Sequence, residues 1–471
     1  MDQDSTSARI IAGLRAWISQ APAGARLPSN RALVAEYGAS PVTVQKAMRH
    51  LIGSGLVESR PGVGTFVRAE PATRPADFNW QTAALGAPLA RVSTLSSTQR
   101  AVAPDDIGLH SGYPSAELLP ERLVRAAVSR SARSRAAITR SPAPGLPELQ
   151  QWFASELAAT SPSGVTPPSA RDVLITAGSQ SGLSSIFRAL VGPGRPLVIE
   201  SPSYWGAMLA AEQAGVALVP VPSGAAGPDP DEVERAFARS GARAFYAQPN
   251  FANPTGGQWP AATSTAILEI VRRRGAFLIE DDWAHDLAID ADPHPIAGRD
   301  EDGHVIYLRS LTKSVSPALR VAAVIARGPA RERILTDRAA ESMYVSGLLQ
   351  AAALDVVTQP AWRTHLRGLR QQLRGRRDLL LAGIREHAPA ARIDATPAGG
   401  LNLWARLPDD TDLGLLGRET QSRGLIIAPG SEWFPAEAPG PYIRLNYSSD
   451  DPQRFPEAAR ILGEALEHSR L

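Results

Sequence analysis

Val305-Ile306-Tyr307-Leu308-Arg309-Ser310-Leu311-Thr312-Lys313-Ser314-Val315-Ser316-Pro317-Ala318-Leu319-Arg320 is an apolar run that gives way to a serine, a lysine and, seven residues on, an arginine. A short apolar run closed by polar residues reads as a buried strand delivering its tail to a loop. The chain draws almost all its positive charge from arginine: Lys313 is one of two lysines, the other being Lys46. An ε-amine forms a Schiff base with an aldehyde, and Ser310 and Arg320 are placed to hold a phosphate beside it. Alone, the stretch reads equally as a solvent lysine in a loop.

Its neighbours separate the two readings. Further apolar runs, Asp172-Val173-Leu174-Ile175, Leu197-Val198-Ile199, Ala244-Phe245-Tyr246, Ala276-Phe277-Leu278-Ile279 and Val321-Ala322-Ala323-Val324-Ile325, alternate with helical segments. That alternation predicts an α/β body with a doubly wound, mostly parallel central sheet. In such a fold functional residues belong at strand ends. After the first run comes Thr176-Ala177-Gly178-Ser179-Gln180-Ser181-Gly182, a small-residue turn opening a helix whose N–H groups suit a phosphate. After the second stands Tyr204, suited either to stacking on a planar ring or to core packing. After the third, Asn253 in Gln248-Pro249-Asn250-Phe251-Ala252-Asn253-Pro254-Thr255-Gly256 is a candidate donor to a phenolate oxygen. After the fourth, Asp281 in Glu280-Asp281-Asp282 is a carboxylate able to keep a pyridine nitrogen protonated. The cluster Asp281-Asp282-Trp283-Ala284-His285-Asp286 also permits a metal site, but no second dense group of ligands accompanies it, and none is expected.

In this order the residues resemble the fold-type I aminotransferase family, which binds pyridoxal 5'-phosphate. The series Gly178-Ser179-Gln180, Tyr204, Asn253-Pro254-Thr255-Gly256, Asp281, Ser310-Leu311-Thr312-Lys313, Arg320 and Tyr442-Ile443-Arg444-Leu445 spans most of residues 109–465. The resemblance implies that Lys313 carries the internal aldimine, Asp281 pairs with the pyridinium nitrogen, Asn253 bonds the ring hydroxyl oxygen and Tyr204 stacks. Ser179, Gln180, Ser310 and Arg320 would hold the phosphate, and Arg444 would grip the carboxylate of an amino-acid-like ligand as a bidentate pair. Two positions depart from the family. Trp283 stands where a tyrosine is usual, and near Ser141 the tyrosine that reaches the partner subunit's phosphate is replaced, with Arg140 as the candidate to act there in trans. Both departures weigh on efficient transamination, which needs tuned proton transfer as well as binding.

Ahead of the body lies a smaller pattern. Ile10, Ile11, Leu14, Trp17 and Ile18 recur at helical spacing; Ser29 and Ser40 are candidate N-caps of a second and a third helix, the latter with Pro41 at its first position. Short strands flank Arg60-Pro61-Gly62-Val63-Gly64. Helix, turn, helix and hairpin make a winged helix-turn-helix. Leu27-Pro28-Ser29-Asn30-Arg31, Ala39-Ser40-Pro41-Val42-Thr43-Val44, Gly55-Leu56-Val57 and Gly62-Val63-Gly64-Thr65-Phe66-Val67 resemble the GntR family of bacterial regulators, over residues 8–68. That resemblance implies DNA contacts from Arg31, Thr43, Gln45 and Arg49, with Gly62 to Gly64 as the wing tip. Pro41 and Gln45 replace arginines common in the family, which implies a different operator.

The expected organisation is a winged helix-turn-helix over 1–69, a linker over 70–108 anchored by Asp77-Phe78-Asn79-Trp80, and an aminotransferase-like domain over 109–471 whose small C-terminal part begins near 350. The arginine-rich run 367–377 reads as a solvated helix face. With 471 residues, no cysteine, a net charge of +2 and no apolar run near the roughly 20 residues of a membrane span, a soluble cytoplasmic protein is expected. The combined architecture resembles the MocR subfamily. It implies a ligand-responsive regulator of a double-stranded DNA operator, working as a head-to-tail homodimer and sensing an amino compound or the cofactor itself. The alternative is an active aminotransferase with an accessory head.

Overall fold

The computed structural model describes residues 3–68 and 96–469, and the chain divides into two compact units, Met1–Leu89 and Ala90–Leu471. The proposed anchor Asp77–Trp80 lies outside the described residues. Among those described, no helix is long and apolar enough to cross a membrane.

The first unit holds helices α1 (Gln3–Gln20), α2 (Asn30–Tyr37) and α3 (Pro41–Gly53), then an antiparallel hairpin of β1 (Val57–Arg60) and β2 (Gly64–Val67). Local chemistry sets each start. Ser29 accepts from the Ala32 N–H and Ser40 from the Thr43 N–H, both at 3.2 Å, and Pro41 occupies the first turn where its missing N–H leaves no bond unmade. Ile10, Leu14, Leu33, Val44, Leu51 and Val57 form the buried core. Trp17, grouped by spacing with Ile10 and Leu14, is 39% exposed and sits on the rim.

The second unit is built on an eight-stranded sheet. Its strands are β4 (Val173–Thr176), β5 (Pro196–Ser201), β6 (Ala217–Gly224), β7 (Gly227–Pro228), β8 (Ala244–Ala247), β9 (Phe277–Asp282), β10 (Val305–Ser310) and β11 (Ala322–Ile325). β3 (Ile107–Gly108) lies apart from it. The order across the sheet is β4-β11-β10-β9-β8-β5-β6-β7. β10, β9, β8, β5 and β6 run parallel, while β11 is antiparallel to both β10 and β4. Apolar clusters cover both faces, which explains the near-continuous apolar runs. The sequence pattern missed β6, which carries Pro220 and Pro222. β6 pairs with β5 along its length but with β7 only over Ser223 and Gly224, so it is close to an edge strand and tolerates prolines.

A smaller layer follows, with β12 (Asn402–Arg406), β14 (Ala428–Pro429) and β15 (Tyr442–Asn446) in one antiparallel sheet, order β12-β15-β14, and β13 (Leu425–Ile426) paired with β3. Ile107, Leu109 and Leu118, from well before the body's first large strand, complete its core. The arginine-rich run lies on the helix Pro360–His387 and is not simply a solvated face. Arg376 and Arg377 are buried, donating to the carbonyls of Ser449 and Pro397 at 2.7 Å each, and Arg374 donates to that of Ile289 at 2.8 Å. These guanidinium groups clasp the helix to loops 289–292, 397 and 449, a use of charge that helical periodicity does not reveal.

Candidate functional site

The parallel strands end along one edge, and that edge delivers the site. Ser310, Ala322 and Thr176 lie abreast in the sheet register, so the end of β10, the start of β11 and the end of β4 meet. Because β11 runs the other way, Arg320, just ahead of it, comes to the same edge as Lys313 and Ser179. A cavity of about 430 Å³ there is lined by Ser179, Gln180, Tyr204, Asn253, Asp281, Ser310, Lys313, Arg320 and Arg444. Residues spread over more than half the chain are thus brought together, and Arg140 alone among the body's candidates is exposed and does not line its own chain's cavity.

Lys313 Nζ lies 3.1 Å from the centroid of the Tyr113 ring. Burial first, and then the charges of Arg444 and Arg320, hold its pKa well below the usual lysine value, so the amine is disposed to be neutral and nucleophilic. Among the described residues no carboxylate is ion-paired with it.

Asp281 is buried, and its Oδ2 accepts from Tyr246 Oη and from Gln248 Nε2, both at 2.8 Å. Oδ1 has no partner. An unsatisfied carboxylate oxygen beside a cavity is an unusual arrangement, since each such atom costs about 1–3 kcal/mol or more. A protonated ring nitrogen placed in the cavity would satisfy it. Gln248 also fixes Asn253, accepting from its N–H at 2.9 Å, and Asn253 Oδ1 accepts from Arg444 Nη1 at 3.2 Å, so Nδ2 is the side chain's donor group.

At the phosphate end Gly178 has φ +81°, and a Cβ there would stand 2.9 Å from the Arg320 guanidinium carbon. Glycine is required both by the left-handed conformation and by the arginine's approach. Arg320 itself takes φ +50°, a strained value for a side chain of its size, and donates to the Ala177 carbonyl at 3.4 Å. Ser179 opens the helix Ser179–Ile186, where N–H groups are free. Gln180, expected as a phosphate ligand, lies in the first turn of that helix with its side chain engaged within the chain. Its Nε2 donates to the Gly206 carbonyl at 2.7 Å and its Oε1 accepts from Tyr204 Oη at 3.2 Å, holding the tyrosine ring in place.

Arg444, on the central strand of the small sheet, is buried with its guanidinium 4.7 Å from the Trp433 ring centroid. Nη2 donates to the His110 carbonyl at 2.6 Å and Nε has no partner. Burial lowers its pKa to about 9, so an anionic ligand that compensates the lost hydration is strongly favoured. Trp283 lines the cavity, but its Nε1 donates to the Phe251 carbonyl at 3.0 Å, so it offers the cavity no free polar donor. Elsewhere in the 281–286 cluster, Asp282 Oδ2 is engaged by His285 and Tyr307, each at 2.6 Å, while its Oδ1 has no partner among the described residues, and Asp286 is engaged by Arg309 and Ser314. Tyr113, Tyr246, Gln248 and Trp433 were not singled out from sequence. The first and last precede or follow the strand-end series; Gln248 lines the cavity at the head of the Gln248–Gly256 stretch, and Tyr246 reaches the site through its hydrogen bond to Asp281.

Asp281 yields a pH test. Burial raises it from 3.8 to about 6. Between those values the folded chain holds a proton that the unfolded chain has released, so stability falls as pH rises. Cofactor-free Asp281→Asn should therefore melt roughly 2 °C above the parent at pH 8 and level with it near pH 4, while binding the cofactor far more weakly. Equal melting offsets at both pH values in calorimetry would refute this.

In the first unit Arg31, Gln45 and Arg49 are exposed, the last two one turn apart on α3. Gly62 and Gly64, at the hairpin turn, have φ +76° and +144°. Thr43 departs from expectation. It is 6% exposed and its hydroxyl lies 2.8 Å from Ser40 Oγ, so it serves the start of α3 and does not face outward with Gln45.

Residues 104–461 match the family "Aminotransferase class I and II" and residues 6–67 match "Bacterial regulatory proteins, gntR family". The probable rhizopine catabolism regulatory protein MocR of Rhizobium meliloti is 29% identical, over 94% of this chain and 90% of the relative. The 2-aminoadipate transaminase of Thermus thermophilus is 30% identical, over 79% of this chain and 92% of the relative. Among solved structures, α-aminoadipate aminotransferase LysN of the same organism, complexed with N-(5'-phosphopyridoxyl)-L-leucine, is 27% identical, with TM-score 0.71 over 79% of this chain and 96% of the other.

Proposed function

Since the chain belongs to the class I and II aminotransferase family and carries a gntR-family head, the arrangement of the MocR-type regulators, we propose that it is a DNA-binding transcriptional regulator that holds pyridoxal 5'-phosphate at Lys313 and there senses an amino compound or the cofactor itself. The observation that carries this reading is Lys313, one of the chain's two lysines, lining the same cavity as Arg320, Arg444 and an Asp281 with one open oxygen. Bound pyridoxal phosphate supplies an aldehyde that captures amines and a ring that accepts negative charge. Asp281 would keep the ring nitrogen protonated, Asn253 would donate to the ring oxygen, and Tyr204 would flank the ring. Ser179, Ser310 and Arg320 would hold the phosphate, Gln180 acting through Tyr204, and Arg444 would take the effector's carboxylate. Arg140 is assigned to the phosphate of a second copy in a head-to-tail homodimer acting in the cytoplasm.

The head would read a double-stranded operator through Arg31, Gln45, Arg49 and the wing at Gly62–Gly64. An effector changes DNA affinity only through unequal affinity for two arrangements of the protein, and a tenfold change needs about 1.4 kcal/mol of such coupling. The test is a DNA fragment selected from a random pool by the full-length, cofactor-loaded protein, titrated in the presence and absence of amino acids that alter the cofactor's absorbance. Affinity should shift with the absorbance; an absorbance response with unchanged DNA binding would defeat the regulator reading.

The fitted cavity also favours a second reading, an active aminotransferase. Trp283, whose one donor is bonded to a backbone carbonyl, argues against it, because no hydroxyl at that position tunes the cofactor's oxygen. Steady multiple turnover of an amino donor with a keto acid would favour the enzyme. For the head, Arg49→Ala should weaken DNA binding about tenfold and lower the salt dependence by about one charge, with the absorbance band intact. Loss of both together would place Arg49 in the wrong unit.

A further inference from the structure

One wall of the cavity comes from residues that the sequence assigns to the linker. Ser97–Gln99 is a single 3-10 turn capped by Ser96, whose Oγ accepts from the Thr98 N–H at 3.2 Å. Thr98 and Gln99 line the same cavity as Lys313 and Arg444.

Two ties hold this turn. At its start Ser96 Oγ donates to Glu432 at 2.5 Å and the Ser97 N–H donates to the same carboxylate at 2.9 Å. The next residue, Trp433, lies under the Arg444 guanidinium, and its carbonyl accepts from the Ser203 N–H at 2.8 Å, one residue before Tyr204. At its end the Arg100 carbonyl lies 3.0 Å from His110 Nε2. A carbonyl only accepts, so that nitrogen carries the proton. The His110 carbonyl in turn accepts from Arg444. Both ties therefore lead to the arginine assigned to the effector's carboxylate, and the Glu432 charge works against the lowering of that arginine's pKa by burial.

We propose that Ser96–Arg100 is a strap which reads the effector's side chain through Thr98 and Gln99 and passes occupancy of the Arg444 site to the linker, with Glu432 as its positioning residue. This rests on the cavity being the effector site. The strap also narrows the class of effector. Among the described lining residues the cations are Lys313, Arg320 and Arg444, all engaged with the cofactor or the α-carboxylate in that reading. None of this chain's lining cations is left for a second carboxylate. Gln99 presents a neutral amide, and Thr98 Oγ1, 3.0 Å from a Ser96 Oγ that already donates to Glu432, keeps lone pairs to accept with, so the fitting class is an α-amino acid with a neutral, hydrogen-bonding side chain.

The test uses full-length protein loaded with pyridoxal phosphate and titrated with L-glutamine, L-leucine and L-glutamate, read by cofactor absorbance and by hydrogen–deuterium exchange over residues 96–100. Glutamine should half-saturate at the lowest concentration and slow exchange across the strap. In Gln99→Leu the preference for glutamine over leucine should fall about tenfold, the size of effect that losing one hydrogen bond to an exposed side chain gives. Glu432→Ala should still answer glutamine in absorbance, at higher concentration, while exchange at 96–100 no longer responds at saturation. Glu432→Gln, which keeps an acceptor for the Ser97 N–H, should recover part of that response. An unchanged preference in Gln99→Leu, or an equal exchange response in Glu432→Ala and the parent, overturns the strap alone. If absorbance answers none of the three amino acids, the effector-site reading falls and the strap with it.

Discussion

Lys313→Ala is expected to abolish the long-wavelength absorbance of the cofactor-loaded protein and, with it, all response of DNA binding to amines. The residue is one of two lysines in the chain, and Lys46 belongs to the other unit, so no neighbouring amine in the cavity can substitute. The pocket's remaining groups, Asp281, Arg320 and Arg444, include no nucleophile toward an aldehyde. The variant should still fold, because the amine is not ion-paired and faces the Tyr113 ring. Basal DNA binding should stay within about threefold of the parent, since the head holds its own core. A mutant that kept the band, or whose DNA binding still answered amines, would remove Lys313 from the centre of the function.

Arg444→Lys is expected to raise the concentration of amino acid needed for half response by about a hundredfold. A lysine cannot reproduce the planar fork, and removing one partner of a buried charge-assisted pair costs about 2–5 kcal/mol. Methylamine, which has no carboxylate, is the control. Its response should be unchanged at matched pH, because it never uses the arginine. The larger replacement Arg444→Leu removes the positive charge altogether. That charge is the second cause lowering the Lys313 pKa, so the pH at which the lysine loses its proton should move upward, visible as an alkaline shift in the pH dependence of cofactor capture. Equal loss for glutamine and methylamine in Arg444→Lys would mean that the arginine supports the fold and not the ligand.

These two residues were legible in the sequence because each is marked locally. Lys313 follows the end of a buried strand, and Arg444 lies within a short apolar alternation at Tyr442–Leu445. The same holds for Asp281 and Asn253. A strand needs only its own apolar run and the turn residues after it to announce where it stops, and in a parallel sheet every stop falls on one edge. β6 escaped because prolines disguise a strand that is almost an edge, and Tyr113 escaped because it comes from a bend ahead of the sheet.

What the sequence by itself determined is the order of elements and the chemistry of their ends: a three-helix head with serine caps and a wing, then a parallel sheet carrying Ser179, Tyr204, Asn253, Asp281, Lys313 and Arg320 in turn. Tertiary structure decided what each side chain bonds to. Thr43 is turned to its helix cap, Gln180 is engaged by Tyr204 and Gly206, Arg376 and Arg377 are buried as clasps, and one oxygen of Asp281 is open. It also joined Ser97 to Glu432 across 335 positions. Periodicity and capping are interactions among residues a few positions apart, so they are written in the local pattern. Partners hundreds of residues distant are chosen by packing, and only the folded chain specifies them.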